Sequence, residues 1–82
     1  MNYKILPTRE FEKEFYKLDK SFQSRIIKKV NEVAENPERY KHLHYSLKGF
    51  CRIWIGKLRI LFSYDVEKKI LYLEKIVFGH KY

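Results

Sequence analysis

The chain has 82 residues, of which 45% are hydrophobic and 17% aromatic. This length allows one domain, residues 1–82, with a modest core, and so apolar a composition argues against a disordered chain. Its 18 Lys and Arg against 10 Asp and Glu give a net charge of +8, which predicts attraction to polyanions such as RNA, DNA, an anionic membrane surface or an acidic protein.

The cellular compartment is indicated by one cysteine and by what the chain does not contain. A single cysteine, Cys51, excludes an internal disulfide framework and fits a reducing compartment. It lies in an apolar run, which favours a buried small hydrophobe over a nucleophile. No apolar stretch is long enough to span a membrane, and the first residues lack the pattern of a signal peptide. We therefore expect a cytoplasmic protein with no membrane partner.

The first half of the chain predicts a strand and two helices. Tyr3–Leu6 has the composition of a short strand, which Pro7 is expected to end. Thr8 is a good N-cap for a first helix, because its hydroxyl can accept from a free backbone N–H group. Phe11, Phe15 and Leu18 then recur at i, i+4 and i+7, which places them on one helical face.

A second helix follows with almost no connection. Asp19 is its predicted N-cap, and its apolar face is formed by Phe22, Ile26, Val30 and Val33. Pro37 disfavours the helical conformation at Asn36, so the helix is expected to end there. The short connection predicts a hairpin of helices.

The second half of the chain predicts an antiparallel meander. Cys51–Ile55, Leu58–Tyr64 and Ile70–Val77 have the period of strands, and Gly56-Lys57 between the first two is typical of a type II′ hairpin turn. The expected fold is α+β: an N-terminal strand, a helical hairpin and a three-stranded antiparallel meander. The helices pack on one face of a small twisted sheet.

The tight turn also predicts which side chains share a face of the sheet. If Ile55 opposes Leu58, one face is apolar and suits the helices: Cys51, Ile53, Ile55, Leu58, Ile60 and Phe62. The other face carries Arg52, Trp54, Arg59, Leu61 and Ser63. Guanidinium groups can hold phosphates while an indole stacks on a base; the alternative is an ordinary solvated Trp–Arg pair. In the last strand, Leu71 and Leu73 require a bulge near Glu74-Lys75 if Lys75 is to avoid the core.

The sequence contains no motif for metal binding, for a phosphate-binding loop or for a serine hydrolase. His42, His44 and His80 have no Cys or acidic companions at metal-ligand spacing, and the glycines are isolated rather than grouped in a phosphate loop. No serine hydrolase motif occurs. We therefore expect an enzyme, if it is one, to work without metal or cofactor. The tail supplies three proton-carrying side chains, His80, Lys81 and Tyr82, which suit acid–base chemistry on a phosphodiester.

The order of several short pieces resembles one family across nearly the whole chain. The pieces are Leu47–Phe50, Arg52, the Ile55–Ile60 hairpin, Tyr64-Asp65 and Gly79–Tyr82. Together they resemble the RelE/ParE toxin superfamily, particularly the RelE and YoeB-like messenger RNA endoribonucleases. The resemblance implies a toxin of a type II toxin–antitoxin system that cleaves mRNA in the ribosomal A site and so inhibits translation. In that reaction the 2′-hydroxyl of the substrate attacks the adjacent phosphate.

The resemblance also implies roles for individual residues. Arg59 corresponds to the arginine at the scissile phosphate, and Arg52 to the basic position of the first hairpin strand. His80 or Lys81, with Tyr82, correspond to the catalytic tail. The RNA-binding set is Arg52, Trp54, Lys48 and Lys57.

At the positions of the general base, this sequence differs from the toxins that it resembles. YoeB-like toxins have a glutamate in the loop before the position of Leu43, where this chain has Lys41 and His42. RelE has a lysine at the position of Trp54. The candidates for the base are therefore His42, His44, Glu74 and a shifted Lys81.

The implied partners are a cognate antitoxin, the ribosome and mRNA. The antitoxin is expected to be an acidic, partly disordered segment that wraps the toxin and covers its basic face. Three alternatives remain open: a ParE-like inhibitor of DNA gyrase, an RNA-binding family member without catalytic power, and a general basic interaction domain. The presence of Arg59 together with His80, Lys81 and Tyr82 in the sequence favours the ribonuclease over the gyrase inhibitor.

Overall fold

The computed structural model describes residues 2–40 and 50–78. In chain order the elements are β1 (Lys4–Pro7), α1 (Arg9–Phe15), α2 (Lys20–Glu35), a short 3₁₀ helix (Pro37–Arg39), β2 (Cys51–Ile55), β3 (Leu58–Asp65) and β4 (Ile70–Phe78). The strands form one sheet in the order β1-β4-β3-β2. The predicted α+β fold is confirmed.

Both helices begin at the predicted caps. The Thr8 hydroxyl accepts from the backbone N–H of Phe11 at 3.0 Å, and the Asp19 carboxylate accepts from that of Phe22 at 3.0 Å. The first helix is shorter than its apolar spacing predicts, since α1 ends at Phe15. Leu18 lies in the connection and still packs against the core. The Gln23 side chain donates to the carbonyls of Phe15 and Leu18 at 3.2 and 3.0 Å, so α2 itself holds the end of the first helix.

The N-terminal strand differs by one residue from its predicted bounds. It runs from Lys4 to Pro7 and pairs in parallel with β4, from Lys4 opposite Ile70 to Pro7 opposite Leu73. Pro7 is therefore the last residue of the strand and not the residue after it. A proline is tolerated there because β1 is an edge strand, where one side of the backbone needs no partner in the sheet.

The predicted hairpin register is confirmed residue for residue. Ile55 opposes Leu58, Trp54 opposes Arg59 and Arg52 opposes Leu61. At the turn, Gly56 has a φ of +59° and Lys57 keeps a negative φ, the combination found in a type II′ turn. The register therefore places the side chains of β2 and β3 on the faces that the sequence predicts.

The predicted irregularity in β4 is present. Leu61 opposes Lys75 but the next residue, Phe62, opposes Leu73, so Glu74 is the extra residue of a bulge. The bulge leaves Lys75 exposed and Ile76 buried, which resolves the conflict seen in the sequence.

The core lies between the two helices and the apolar face of the sheet. Phe11, Ile26, Val30 and Val33 from the helices join one cluster with the inward residues of the strands: Cys51, Ile53, Ile55, Leu58, Ile60, Phe62, Leu71, Leu73 and Ile76. Burying this surface is the main stabilising contribution to so small a fold. Within the described ranges, no helix is both long and apolar enough to cross a membrane.

Candidate functional site

Trp54 stands between two arginines on the sheet face opposite α1 and α2. Arg59 is directly opposite Trp54 on β3, and its guanidinium carbon lies 5.3 Å from the centre of the indole ring. Arg52 lies on β2, two residues before Trp54 and on the same face of the sheet. Its guanidinium carbon lies 5.9 Å from the centre of the indole ring. The two cations and the indole form what we call the Arg–Trp cluster: Arg52, Trp54 and Arg59.

The members of the Arg–Trp cluster differ in burial. Trp54 is 49% exposed and Arg52 is exposed, whereas Arg59 is half-buried and its Nε atom is buried. A half-buried guanidinium held against an indole has few orientations, so it is preorganised to meet a negative charge. Arg52 and Trp54 offer the accessible part of the same surface. The cluster combines two phosphate-binding groups with a platform on which a base can stack.

The same sheet face continues away from the cluster with polar and apolar residues. Leu61 points to this face, as predicted, but only 2% of it is exposed. Beyond it, the Ser63 hydroxyl donates to Glu74 Oε2 at 2.7 Å. The bulge at Glu74 therefore places a carboxylate on the outer face and a serine holds it there.

Glu74 and the Arg–Trp cluster occupy different parts of this face. Ser63 is four residues from Arg59 along β3, which at ~3.3 Å per residue separates them by ~13 Å. Arg59 extends toward β2, while Glu74 belongs to β4 on the other side of β3. The structure does not bring this carboxylate, one of the candidate bases, to the arginines.

Of the other seven predicted site residues, one lies within the residues that the structure describes and six lie outside them. Lys57 is exposed at the hairpin turn, next to the strand end that carries Trp54. The remaining predicted residues are Lys48, His42, His44, His80, Lys81 and Tyr82, and they lie outside the described residues. Their roles stay predictions.

Cys51 has the properties of a core residue, as the sequence predicts. Its side chain is fully buried, and burial raises the pKa of its thiol to about 11. Because the thiolate is the nucleophilic form, a thiol with this pKa is unreactive near neutral pH. Cys51 contributes packing.

A basic groove beside the cluster was not identified from the sequence. It lies between α2 and the hairpin turn, has a volume of about 360 Å³, and contains Arg25, Lys28, Lys29, Glu32, Trp54, Ile55 and Gly56. The signal that would have found it is the spacing of Arg25, Lys28 and Lys29 at i, i+3 and i+4, which places three cations on one face of α2. The contact of that face with the hairpin is a tertiary feature.

An apolar groove occupies the helical side of the fold. It has a volume of about 220 Å³ and is lined by Ile5, Phe11, Phe15, Ile26, Ile27, Val30, Asn31 and Leu73. Ile27 at its rim is 53% exposed. An exposed aliphatic side chain beside an open apolar groove is a feature of surfaces that bind other proteins.

Comparison with known proteins relates this fold to one family. Residues 5–77 match the family model described as the ParE toxin of the type II toxin–antitoxin system parDE. A Methanocaldococcus jannaschii relative named toxin RelE4 is 39% identical over 54 residues, which cover 65% of this chain but only 57% of that relative. An uncharacterized protein of Methanosarcina mazei is 36% identical over 69 residues, covering 79% of this chain and 80% of its own.

A solved structure supports the same relationship at the level of fold. The toxin–antitoxin complex RelBE2 of Mycobacterium tuberculosis contains a chain that superposes with a TM-score of 0.85 at 19% identity, over 95% of this chain and 99% of that one. The family match over most of the chain, together with the shared α+β fold, defines a class of small toxins. The chain belongs to the RelE/ParE superfamily of type II toxin–antitoxin toxins.

Proposed function

We propose that this toxin is a metal-independent mRNA endoribonuclease that cleaves message on the ribosome and so inhibits translation. The observation that carries the proposal is the Arg–Trp cluster, where two guanidinium groups flank one half-exposed indole on the outer face of the sheet. That surface fits a phosphodiester with an unstacked base beside it. A cytoplasmic location follows from a ribosomal substrate.

The reaction requires charge stabilisation and two proton transfers. The 2′-oxygen of the substrate forms a bond to the adjacent phosphorus, and the bond from phosphorus to the 5′-oxygen breaks. A base removes the proton of the 2′-hydroxyl and an acid protonates the leaving 5′-oxygen, so the products are a 2′,3′-cyclic phosphate and a 5′-hydroxyl. Arg59, assisted by Arg52, would stabilise the charge that builds on the phosphoryl oxygens.

The acid and the base are proposed from the tail and from the connection before β2. Lys81 or His80 would protonate the leaving oxygen, and Tyr82 would stack on a base or orient the sugar. His42 or His44 are the proposed bases, because an imidazole accepts a proton near neutral pH. We assign no base role to Glu74, because its carboxylate is bonded to the Ser63 hydroxyl and Ser63 lies four residues from Arg59 along β3. Lys48 and Lys57 would attract the RNA backbone.

A cognate antitoxin is the proposed protein partner, as in the RelBE2 complex. Two surfaces support such a partner: the basic outer face suits an acidic segment, and the apolar groove with exposed Ile27 suits aliphatic or aromatic anchors. A segment that is disordered when free could cover both by folding as it binds.

Inhibition of DNA gyrase is the second candidate, and the match of residues 5–77 to the ParE family model favours it. That function requires a binding surface but no cleavage chemistry. It predicts that translation proceeds normally and that DNA supercoiling by gyrase stops when the protein is added.

The deciding experiment is a cell-free translation reaction in which the 5′ ends of the message are mapped by primer extension. The wild type is compared with Arg59→Ala and with Arg9→Ala, a matched loss of one exposed arginine at the start of α1. Codon-phased cuts by the wild type and Arg9→Ala, absent for Arg59→Ala and absent when ribosomes are not engaged on the message, are the expected result. An intact message with inhibited supercoiling would replace the proposal with the gyrase function.

A further inference from the structure

We propose that the basic groove between α2 and the hairpin turn binds the phosphodiester backbone of the RNA strand where it leaves the Arg–Trp cluster. The inference rests on the proposed function and extends it, because it assigns a second RNA-binding surface outside the reacting dinucleotide. The groove shares Trp54 with the cluster and contributes three basic residues of its own, Arg25, Lys28 and Lys29.

The groove carries a row of cations along one helix. Lys28 and Lys29 lie one turn after Arg25 in α2, and from Arg25 to Lys29 the helix rises by ~6 Å at 1.5 Å per residue. Glu32 is the one carboxylate among the lining residues, and Lys29 Nζ lies 3.5 Å from its Oε1. The net positive charge is therefore concentrated at the end of the groove nearer Arg25, next to the hairpin.

Arg25 is held in place by its neighbours. Its guanidinium carbon lies 5.2 Å from the centre of the Phe22 ring, and a methyl group built on Gly56 would lie 3.7 Å from Arg25 Nη2. The guanidinium therefore stands over an aromatic ring and against the backbone of the hairpin turn. This arrangement lowers the entropy that the side chain would lose when it binds a phosphate.

Trp54 connects the groove to the outer face of the sheet. Its indole contacts the guanidinium groups of Arg52 and Arg59, and Trp54 is also one of the residues that line the groove. Because β2 is an edge strand, no further strand in the described part of the sheet separates the two surfaces. A single strand of RNA can pass over Trp54 from one set of cations to the next, as in proteins that combine a basic groove with stacking platforms.

The composition of the groove favours RNA over an acidic peptide. A peptide that docks stably needs apolar anchor points, and apart from Trp54 the apolar residue of the groove is Ile55, of which only 6% is exposed. The apolar groove lined by Phe11, Phe15 and Ile27 lies on a different surface, between the helices and β1. Backbone phosphates require cations and no apolar anchor, and the basic groove supplies the cations.

The test is the salt dependence of RNA binding. The probe is a fluorescent single-stranded RNA of about 12 nucleotides, within the range that one binding domain covers, with 2′-O-methyl riboses that cannot attack the phosphate. The groove variant is Arg25→Gln, Lys28→Gln and Lys29→Gln together. The control variant, Arg9→Gln, Lys13→Gln and Lys20→Gln, removes the same charge from exposed positions outside the groove.

Each single-strand phosphate contact contributes about 0.7 to the slope of log K against log salt, so the groove variant should have a slope shallower by about 2 and about 10- to 100-fold weaker binding near 0.1 M salt. The control variant should keep the wild-type slope. A codon-length RNA, which fills only the cluster, should bind the wild type and the groove variant alike. Thermal unfolding of each variant establishes that it is folded.

The outcomes separate this inference from the proposed function. If the wild type cleaves message and binds the long RNA but the groove variant keeps the same slope, the groove inference is wrong and the function stands. Equal losses for the groove and control variants would also overturn it, since general charge alone would then explain the binding. If a poly-glutamate peptide, and not RNA, loses affinity for the groove variant, the occupant is an acidic protein. If the wild type cleaves message on the ribosome but binds neither RNA, the groove inference is wrong and the proposed function stands.

Discussion

Trp54 and Arg59 face each other across the β2–β3 hairpin, and the guanidinium carbon of Arg59 lies 5.3 Å from the centre of the indole. The indole restricts the orientation of the Arg59 guanidinium on the outer face of the sheet. A local turn signal, Gly56-Lys57, is enough to bring these two residues together, because the turn determines the register and the register determines which residues share a face.

Replacing Arg59 with alanine should abolish cleavage and leave the fold intact. Loss of one preorganised group that stabilises a developing charge typically lowers kcat by about 10²- to 10³-fold. Single-turnover cleavage of ribosome-bound message measures the loss, and urea unfolding measures the stability. If the variant unfolds at much lower urea than Arg9→Ala, Arg59 has a structural role instead.

Trp54 should report RNA binding directly, because it is the only tryptophan in the chain and is 49% exposed. Stacking of a base on the indole should quench its fluorescence, and Trp54→Ala should weaken RNA binding by about 1–3 kcal/mol. Trp54→Phe keeps a smaller platform and should lose less. Unchanged fluorescence at saturating RNA would mean that no base reaches the indole.

Glu74→Gln should retain cleavage, since Ser63 holds this carboxylate away from Arg59. Loss of a true general base costs about 10²- to 10⁴-fold, and we expect a far smaller change. Glu67→Gln, an exposed glutamate in the β3–β4 turn, is the matched control. A loss of that size in Glu74→Gln alone would identify Glu74 as the base and would require the substrate to lie further along the sheet.

Thr8→Ala should destabilise the protein more than Asp19→Ala, although both residues cap helices. Each side chain accepts one hydrogen bond from a helix N–H, but the Thr8 hydroxyl also donates to the carbonyl of Glu74 at 2.9 Å. We expect about 1 kcal/mol for the loss of the Asp19 cap and about 1 kcal/mol more for Thr8. Urea unfolding of the two variants gives the difference, and equal losses would mean that the bond to β4 contributes nothing.

The stability of the protein should fall above pH 9 in a way that depends on Cys51. Burial raises the pKa of this thiol from an ordinary value of 9.0 to about 11. Below pH 9 the thiol is neutral in both states, so the stabilising contribution of the buried neutral form is complete. Between pH 9 and 11 the unfolded chain ionises first, which favours unfolding. The stability of Cys51→Ala should depend less on pH over this range, measured by urea unfolding at each pH.

The same variant also tests the role of the thiol. Because Cys51 lies in the core, Cys51→Ala should lower stability and leave RNA cleavage unchanged. Loss of cleavage in a fully folded Cys51→Ala protein would contradict the assignment of this residue to packing.

Features that depend on neighbours in the chain could be predicted from the sequence. The caps at Thr8 and Asp19, the turn at Gly56, the faces of β2 and β3 and the need for a bulge near Glu74-Lys75 each follow from a short pattern and local stereochemistry, whereas the position of the bulge at Glu74 comes from the pairing of β3 with β4. The Arg–Trp cluster was predictable for the same reason, since its members lie within one hairpin. The end of α1 was not, because Gln23 of the next helix caps the carbonyls of Phe15 and Leu18.

Contacts between segments that are distant in the chain could not be predicted in this way. The parallel pairing of β1 with β4 joins Lys4 to Ile70, and no local pattern predicts which edge a strand will join. The contact between Ser63 and Glu74 depends on two strands and a bulge. The basic groove requires α2 to pack its Phe22 and Arg25 against the turn at Gly56. Burial of the apolar face of the sheet against the helices brings these segments together, because removing that surface from water is the dominant force in the fold.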